Sequence, residues 1–390
     1  MNLEKKNMIS DILRNSKFSI DDYNFVLSHL SDEESKDNLF YRTMLDGTND
    51  VYYCLKLIEM MYYNKSLDNI NDFSSFNLVK FLLKNDNYRK KIYLFGYDSN
   101  LVEKIIPNLF NRWKDGIGLD IQCIYEVSEF FENQVDCCYN LALFNENDFF
   151  DPSCLFLICT PNFYGCEKLF LNYGVSKENI FKLNYNSMTG FGSFRESKGV
   201  QYFGESFFKP NKNEVFVDCG ACNLDSVCDF VSWCEGDYKK VYALEPSDTL
   251  YDTCIDVLDY CNLSNVEVLK YGVWSEDTSM IFNDTGDSDA TFFSINKSMY
   301  TPVEVRKLDT ILKDEDVTLI KMDVEGSEAE AIIGATDTIK RCKPRLMICG
   351  YHFPFDCIKL IKQILELNPN YKIYIRHYNF NIFETVIYFV

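Results

Sequence analysis

No stretch of this 390-residue chain is apolar over the length of a membrane-spanning helix. The N-terminus, MNLEKKNMISDIL, alternates charged and apolar residues where a secretory leader would need an apolar core. Together these absences point to a cytoplasmic protein. Positive charge is scarce: 39 Lys and Arg stand against 59 Asp and Glu, for a formal net charge of -20. Such a surface repels phosphate backbones, so no nucleic-acid partner is expected. A disulfide framework is not expected either. The 16 cysteines are scattered, several inside apolar runs such as CLFLIC (Cys154 to Cys159), where a reduced thiol packs as a small hydrophobe. Cys219 and Cys222 form a C-x-x-C, but no second pair follows at zinc-binding spacing, since Cys228 and Cys234 stand too far apart. There are only three histidines. His29, on a helix face, and His377, inside a strand, read as surface or packing residues, which leaves His352 for chemistry.

What is present is an ordinary globular balance, 47% hydrophobic and 25% charged. The length calls for two or three domains. Residues 1–84 read as a helical region, with apolar residues at helical spacing in FSIDDYNFVLSHL and VYYCLKLIEMMYY. From Lys91 the period changes. KIYLF, DIQCIY, NLALF, CLFLIC and NIFKL are short strand-like runs, and LVEKIIPNLF and the segment from Phe163 to Tyr173 are helical. This pattern implies a small Rossmann-like α/β accessory domain over 85–190. A dinucleotide site would need G-x-G-x-x-G after the first strand. The turn here holds only Gly96, and Asp98 would repel a phosphate, so no nucleotide site is expected in this domain. The SMTGFGSFRESKG stretch, within 184–212, is the linker candidate.

Residues 200–390 form the third domain, again α/β. EVFVDCGACNLDSVCDFV is a buried strand, a glycine turn and a helix entered near Asn223. KVYALEP is a strand ending in Glu245, with a helix through Tyr260. NVEVLKYGVW, TLIKMDVEG and RLMICGYH are the next strands. SEAEAIIGATDTIK follows as a helix, and another runs through Leu367. YKIYIRHY and ETVIYFV close the chain as antiparallel neighbours. An insert between Met280 and Arg306, with ATFFSI and TPVEV, reads as a small hairpin. Five parallel strands and a terminal hairpin are the order of elements of a class I methyltransferase.

The motifs VFVDCGACNLDS, YALEPS, RKLDTIL, LIKMDVEGSEAEAIIGA and YHFPFD, in that order, resemble those of the FkbM family of methyltransferases over roughly Val215 to Val390. The resemblance implies the class I Rossmann-like fold, S-adenosylmethionine as cofactor, and an acceptor in natural-product or surface-polysaccharide chemistry. That cofactor has no phosphates and needs less glycine around it than a dinucleotide. Asp218, at a strand end, could accept from the ligand's ammonium, while Gly220 and Ala221 let the backbone pass close. N–H groups near Asn223 and Asp225, at a helix start, suit a carboxylate. Glu245 is placed for the ribose hydroxyls. With the resemblance, the expected cofactor-binding set is Asp218, Gly220, Ala221, Cys222, Asn223, Asp225, Glu245, Pro246, Ser247, Gly272, Val273 and Asp323. One departure stands out: Leu224 occupies a position where the family commonly has a second glycine.

Methyl transfer is an in-line displacement, so the protein must align the acceptor and remove its proton. Asp323 and Glu325, at the end of the fourth strand, could position the acceptor, and His352, after the fifth, is the candidate base. Glu328 reads as a helix N-terminal carboxylate favoured by the macrodipole. Asp323 with Glu325 could hold a divalent ion, but no third ligand is evident and no metal is assigned. The expected function is methylation of a small molecule or of a surface or flagellar glycan component, by O-methylation in the favoured reading and N-methylation in the alternative. A scaffold with a degenerate Rossmann site is the rival from outside enzymology.

Overall fold

The computed structural model describes residues 3–64, 73–95, 121–126, 141–143, 151, 153–158, 163–182, 201–283, 300–379 and 382–390. The chain divides into two compact units. One comprises Met1–Gly47, Ser197–Arg376 and Glu384–Val390, and the other comprises Thr48–Glu196 and His377–Phe383. The expected helical region 1–84 is therefore split. Its first helices, α1 (Leu3–Leu13), α2 (Ile20–His29) and α3 (Glu33–Thr48), go with the C-terminal half of the chain. No helix among the described residues is long and apolar enough to cross a membrane.

The second unit holds α4 (Val51–Asn64) and α5 (Phe73–Leu83), followed by an all-parallel sheet. Its strands are β1 (Ile92–Phe95), β2 (Ile121–Glu126), β3 (Leu141–Leu143), β4 (Leu155–Ile158) and β5 (Ile180–Lys182), in spatial order β3-β2-β1-β4-β5. Every strand-like run read from the sequence is a strand here. Helix α6 (Phe163–Asn172) sends Phe170 into a core with Phe156 and Val175. The Gly96–Asp98 turn, the LVEKIIPNLF helix and most of the linker candidate lie outside the described residues.

In the first unit a seven-stranded sheet runs in the order β14-β15-β13-β12-β6-β7-β8. The strands are β6 (Val215–Cys219), β7 (Lys240–Leu244), β8 (Val266–Leu269), β12 (Leu319–Met322), β13 (Arg345–Cys349), β14 (Ile373–His377) and β15 (Thr385–Phe389). Strands β6 and β12 are buried throughout, as parallel strands covered on both faces must be. This is why they read as unbroken apolar runs. Edge strand β8 is only half-buried. β15 is antiparallel to β13, and β14 and β15 exchange both backbone hydrogen bonds between Lys372 and Val390, the mark of an antiparallel pair. Helices α7 (Asp225–Trp233), α8 (Asp248–Tyr260), α10 (Glu328–Gly334), α11 (Thr336–Cys342) and α12 (Asp356–Leu367) connect the strands, with a single turn, α9 (Leu308–Ile311), before β12. The class I order is thus present. Because β6 is flanked by β7 on one side and β12 on the other, the chain reverses direction across the sheet between β6 and β12. A crevice at such a switch point, outside the carboxyl ends of the strands, is where α/β sheets bind ligands.

Two local readings differ from expectation. NVEVLKYGVW is not one strand: after β8 the chain enters β9 (Gly272–Val273), which pairs with β11 (Tyr300–Arg306) in a separate three-stranded sheet with β10 (Thr278–Asn283). That sheet is the accessory hairpin, built from TSMIFN and YTPVEVR. ATFFSI lies outside the described residues. The expected long helix after β12 breaks at Ala335 into α10 and α11.

The edge strand β14 explains why α2 and α3 dock here. The backbone N–H of Ile375 donates to Ser35 Oγ (2.9 Å), and Asn38 Nδ2 donates to the Ile375 carbonyl (2.9 Å). Ser31 N–H adds a further bond to the Ile373 carbonyl (2.9 Å). Side chains of α3 thus satisfy backbone groups that an exposed edge would leave open to a second chain.

Candidate active site

The glycine turn after β6 and the acidic turn after β12 touch. Gly220 has φ +82°, and a Cβ on it would lie 2.0 Å from the Asp323 carbonyl oxygen. Only glycine permits that approach. The Asp323 N–H in turn donates to the Cys219 carbonyl (3.1 Å). Beneath them sits Lys321, a buried lysine in an otherwise apolar strand. Its ammonium donates to Asp218 Oδ1 (2.9 Å) and to the Gly220 carbonyl (3.0 Å). Burial alone would lower the Lys321 pKa, but the charges of Asp218 and Asp323 outweigh it and hold the amine charged. Asp218 is fully buried, with its other oxygen taking the Ser226 hydroxyl. It therefore anchors the loop internally and does not present itself to a ligand's ammonium. The apolar surroundings of β6 demand a partner for its charge, and Lys321 is that partner.

The loop's donors are also committed. Gly220 and Ala221 N–H both donate to the Leu244 carbonyl (3.1 and 3.0 Å), so these residues offer a close backbone approach and no free hydrogen bonds. The Asp225 N–H donates to Asn223 Oδ1 (3.2 Å), and Asn223 Nδ2 donates to the Asp225 carboxylate (2.9 Å). This local turn replaces the open helix N-terminus expected there. Leu224 explains its own departure from the family pattern. Its backbone is left-handed, φ +62°, which glycine adopts freely. In an L-residue it costs about 1–2 kcal/mol, offset here by complete burial of the leucine side chain.

Glu245 lies just beyond β7, 4% exposed. It accepts from the Cys222 N–H (2.9 Å) and the Ser247 N–H (3.0 Å). Burial nevertheless dominates and pushes its carboxyl up to about 7. Pro246 leads directly into Ser247, which caps α8 by accepting from the Leu250 N–H (3.3 Å). Gly272 and Val273 are buried in β9, opposite Val305 and Arg306 of β11.

Beyond the carboxyl ends of β12 and β13 stand the acidic groups and His352. Asp323 accepts hydrogen bonds from the hydroxyls of Tyr202 and Tyr351, both at 3.1 Å. Glu325 adopts φ +51°, and its Oε2 lies 3.3 Å from Nε2 of His352. The same Nε2 is 3.7 Å from Asp323 Oδ1, while Nδ1 is 3.0 Å from Glu328 Oε1. Glu328 is the helix N-terminal carboxylate read from the sequence, its Oε1 accepting the Val324 N–H (3.0 Å); it is also buried and faces the imidazole.

These neighbours separate the charge states. Burial would lower the His352 pKa, but the negative charges of Glu328, Glu325 and Asp323 hold it well above the ordinary imidazole value. These charges favour the protonated ring, which works against the resting-base role expected of His352. Burial works against ionisation of Asp323, yet Lys321 and His352 hold its carboxyl low. Burial wins at Glu325, whose carboxyl is raised despite the His352 contact.

A brace holds the wall that carries His352. On α3, Arg42 pairs with Asp46 (2.8 Å). Asp46 Oδ2 accepts the N–H of Phe355 (2.8 Å), a residue at φ +67°, and Arg42 donates to the Tyr351 carbonyl (3.4 Å). Tyr202, Lys321, Tyr351 and this α3 pair were all missed from sequence, as was the contact of Glu328 with the imidazole. Only Lys321 left a signal, as a charge inside the apolar run LIKM.

The fold is that of the class I methyltransferases. Residues 218–382 match the family model described as the Methyltransferase FkbM domain. Among solved structures, the methyltransferase FkbM from Methylobacillus flagellatus KT is 18% identical, with TM-score 0.52, covering 77% of this chain and 90% of that one. Aeropyrum pernix fibrillarin, solved with natively bound S-adenosyl-L-methionine, is 11% identical with TM-score 0.33, covering 51% of this chain and 76% of that one. The first likeness bears on the fold, and the second is too distant to add to it. No curated protein sequence matches the chain.

Proposed function

We propose that the C-terminal unit transfers a methyl group from S-adenosylmethionine to a hydroxyl of a small molecule or of a surface or flagellar glycan component. The observation that carries this reading is Glu245. Two backbone N–H donors do not offset its burial, so its carboxyl stands at about 7. An ionised carboxylate has four acceptor directions, and ribose hydroxyls would fill the remaining two. The residues present thus fit the cofactor: Glu245 for the ribose, with Gly220 and Ala221 allowing close passage of its methionine part. Bound there, the sulfonium supplies an electrophilic methyl group.

The chain's own groups supply orientation and proton removal. Asp323, fixed by two tyrosines, orients the acceptor. Glu325, its carboxyl raised and its side chain a third exposed, takes the hydroxyl proton as the new O–C bond forms. The His352 imidazolium balances the negative charge of the pair. A pair of carboxyls driven apart in pKa by their surroundings is the usual basis for dividing acid and base roles. The test is methyl transfer from labelled S-adenosylmethionine by the full chain to a panel of sugars, amino sugars and small phenols, read by mass. Label on oxygen supports the reading. Label only on amines, or no thermal stabilisation by S-adenosylhomocysteine, overturns it.

A further inference from the structure

The same wall has a property that methyl transfer does not require. Asp323, Glu325 and His352 each bring one ligand-type atom to a common point, with these atoms within 4.8 Å of one another. His352 makes this more than an acidic cluster. Its side chain is 8% exposed, and both buried ring nitrogens, Nδ1 and Nε2, lack a well-formed hydrogen bond among the described residues. Nε2 lies 3.3 Å from Glu325 Oε2 and 3.7 Å from Asp323 Oδ1. The far side of the ring, Nδ1, faces Glu328 Oε1 at 3.0 Å. Metal-binding histidines show this division of the ring: one nitrogen is turned to a carboxylate that fixes tautomer and orientation, and the other is left for the ion. Glu328 is itself fixed by the Val324 N–H. Asp323 is held by Tyr202 on Oδ2 and by Tyr351 on Oδ1, the oxygen that faces His352, as ligating carboxylates commonly are.

We infer that Asp323, Glu325 and His352 form a binding site for a divalent cation, with Glu328 as the residue that orients the histidine. One imidazole nitrogen and two carboxylate oxygens suit manganese, cobalt or zinc better than calcium or magnesium, whose ligands are oxygen. The charge balance favours it as well. Two carboxylates, of Asp323 and Glu325, meet at this point, and a divalent cation would balance their charge. The inference goes beyond methyl transfer and does not depend on it.

The test uses the full chain, stripped with a chelator and dialysed, titrated with Mn²⁺ alone and followed by electron paramagnetic resonance. Wild type is expected to bind one ion. Glu325→Gln, at a position partly open to solvent, should weaken binding about tenfold or more, and Glu328→Gln about 10–100-fold through loss of the orienting contact. Co²⁺ should give visible absorption bands that His352→Gln abolishes. The melting temperature of each metal-free variant shows that it is folded. No Mn²⁺ binding by wild type, or affinity unchanged in folded Glu325→Gln, overturns the site. Because no methyl donor is present, the outcome is independent of whether the methyl-transfer reading holds.

Discussion

Glu245 is a carboxylate that the fold tolerates at a cost, and that cost should be measurable. Its carboxyl moves from 4.5 to about 7 on folding, with burial the leading cause. Below pH 4.5 it is protonated in both folded and unfolded chains and no penalty arises. As pH rises the unfolded chain ionises first and the folded protein only near 7, so the unfolded state gains across that window and stability falls with pH. The shift corresponds to about 3 kcal/mol, lost in full above pH 7. Glu245→Gln removes the titration. Its amide nitrogen would face one of the two backbone N–H groups, of Cys222 or Ser247, at a cost of about 1–2 kcal/mol at every pH. The variant should therefore be less stable than wild type by about 1–2 kcal/mol at pH 4, and more stable by a similar margin at pH 8. Urea unfolding of both proteins at the two pH values reads the difference. The reversal of sign is the signature; a difference that stays constant from pH 4 to pH 8 would refute the reasoning. The variant stabilised at pH 8 should also bind S-adenosylhomocysteine more weakly, by about 1–3 kcal/mol, since the acceptor that destabilises the free protein is the one the ribose needs.

Gly220→Ala should fail to accumulate as a stable protein, or lose more than about 2 kcal/mol in urea unfolding, because it combines a left-handed backbone with a collision against a carbonyl oxygen. Lys321→Met should cost about 3–5 kcal/mol by leaving Asp218 buried and unpaired. Adding Asp218→Asn should then recover part of that loss, whereas strictly additive losses would dissolve the pair. A fragment beginning at Val200 should not fold to a cofactor-binding form, since it lacks the α3 groups that satisfy Ile375 and brace Phe355. Normal S-adenosylhomocysteine affinity in that fragment, measured by calorimetry, would count against the unit boundaries.

The sheet was legible because burial on both faces leaves a mark that needs no partner to interpret. VFVDC and LIKM are apolar nearly throughout, and their turn residues mark where the crevice opens. Glu245, Asp323 and Glu325 were proposed from their place at strand ends, which topology alone places along one edge of the sheet. The docking of residues 1–47 left no such mark. Asn38 meets Ile375 across 337 positions, and a helix that seals a sheet edge has the same amphipathic period as one that packs anywhere else. Tyr202 reaches Asp323 across 121 positions, from a segment whose glycine and serine content reads as linker. The split between β8 and β9 was hidden for the opposite reason. Both pieces are strand, and no local pattern says that they join different sheets.

His352 shows most clearly why residue type and proximity do not decide chemistry. A histidine beside a crevice is a fair candidate base, because an isolated imidazole titrates near neutrality. Whether it can accept a proton depends on how many anions surround it. Here that number depends on two features invisible in the string DVEGSE. The left-handed backbone at Glu325 turns its carboxylate back toward the ring, and α10 begins early enough to bury Glu328 against the other nitrogen. The three carboxylates facing it raise the pKa of the ring and burial raises that of Glu325, which is why the base role is proposed for Glu325. In the proposed reading, the position read as acceptor alignment becomes the base. The position read as base supplies the positive charge that keeps Asp323 and Glu325 together, a charge that a proton or a metal ion can provide.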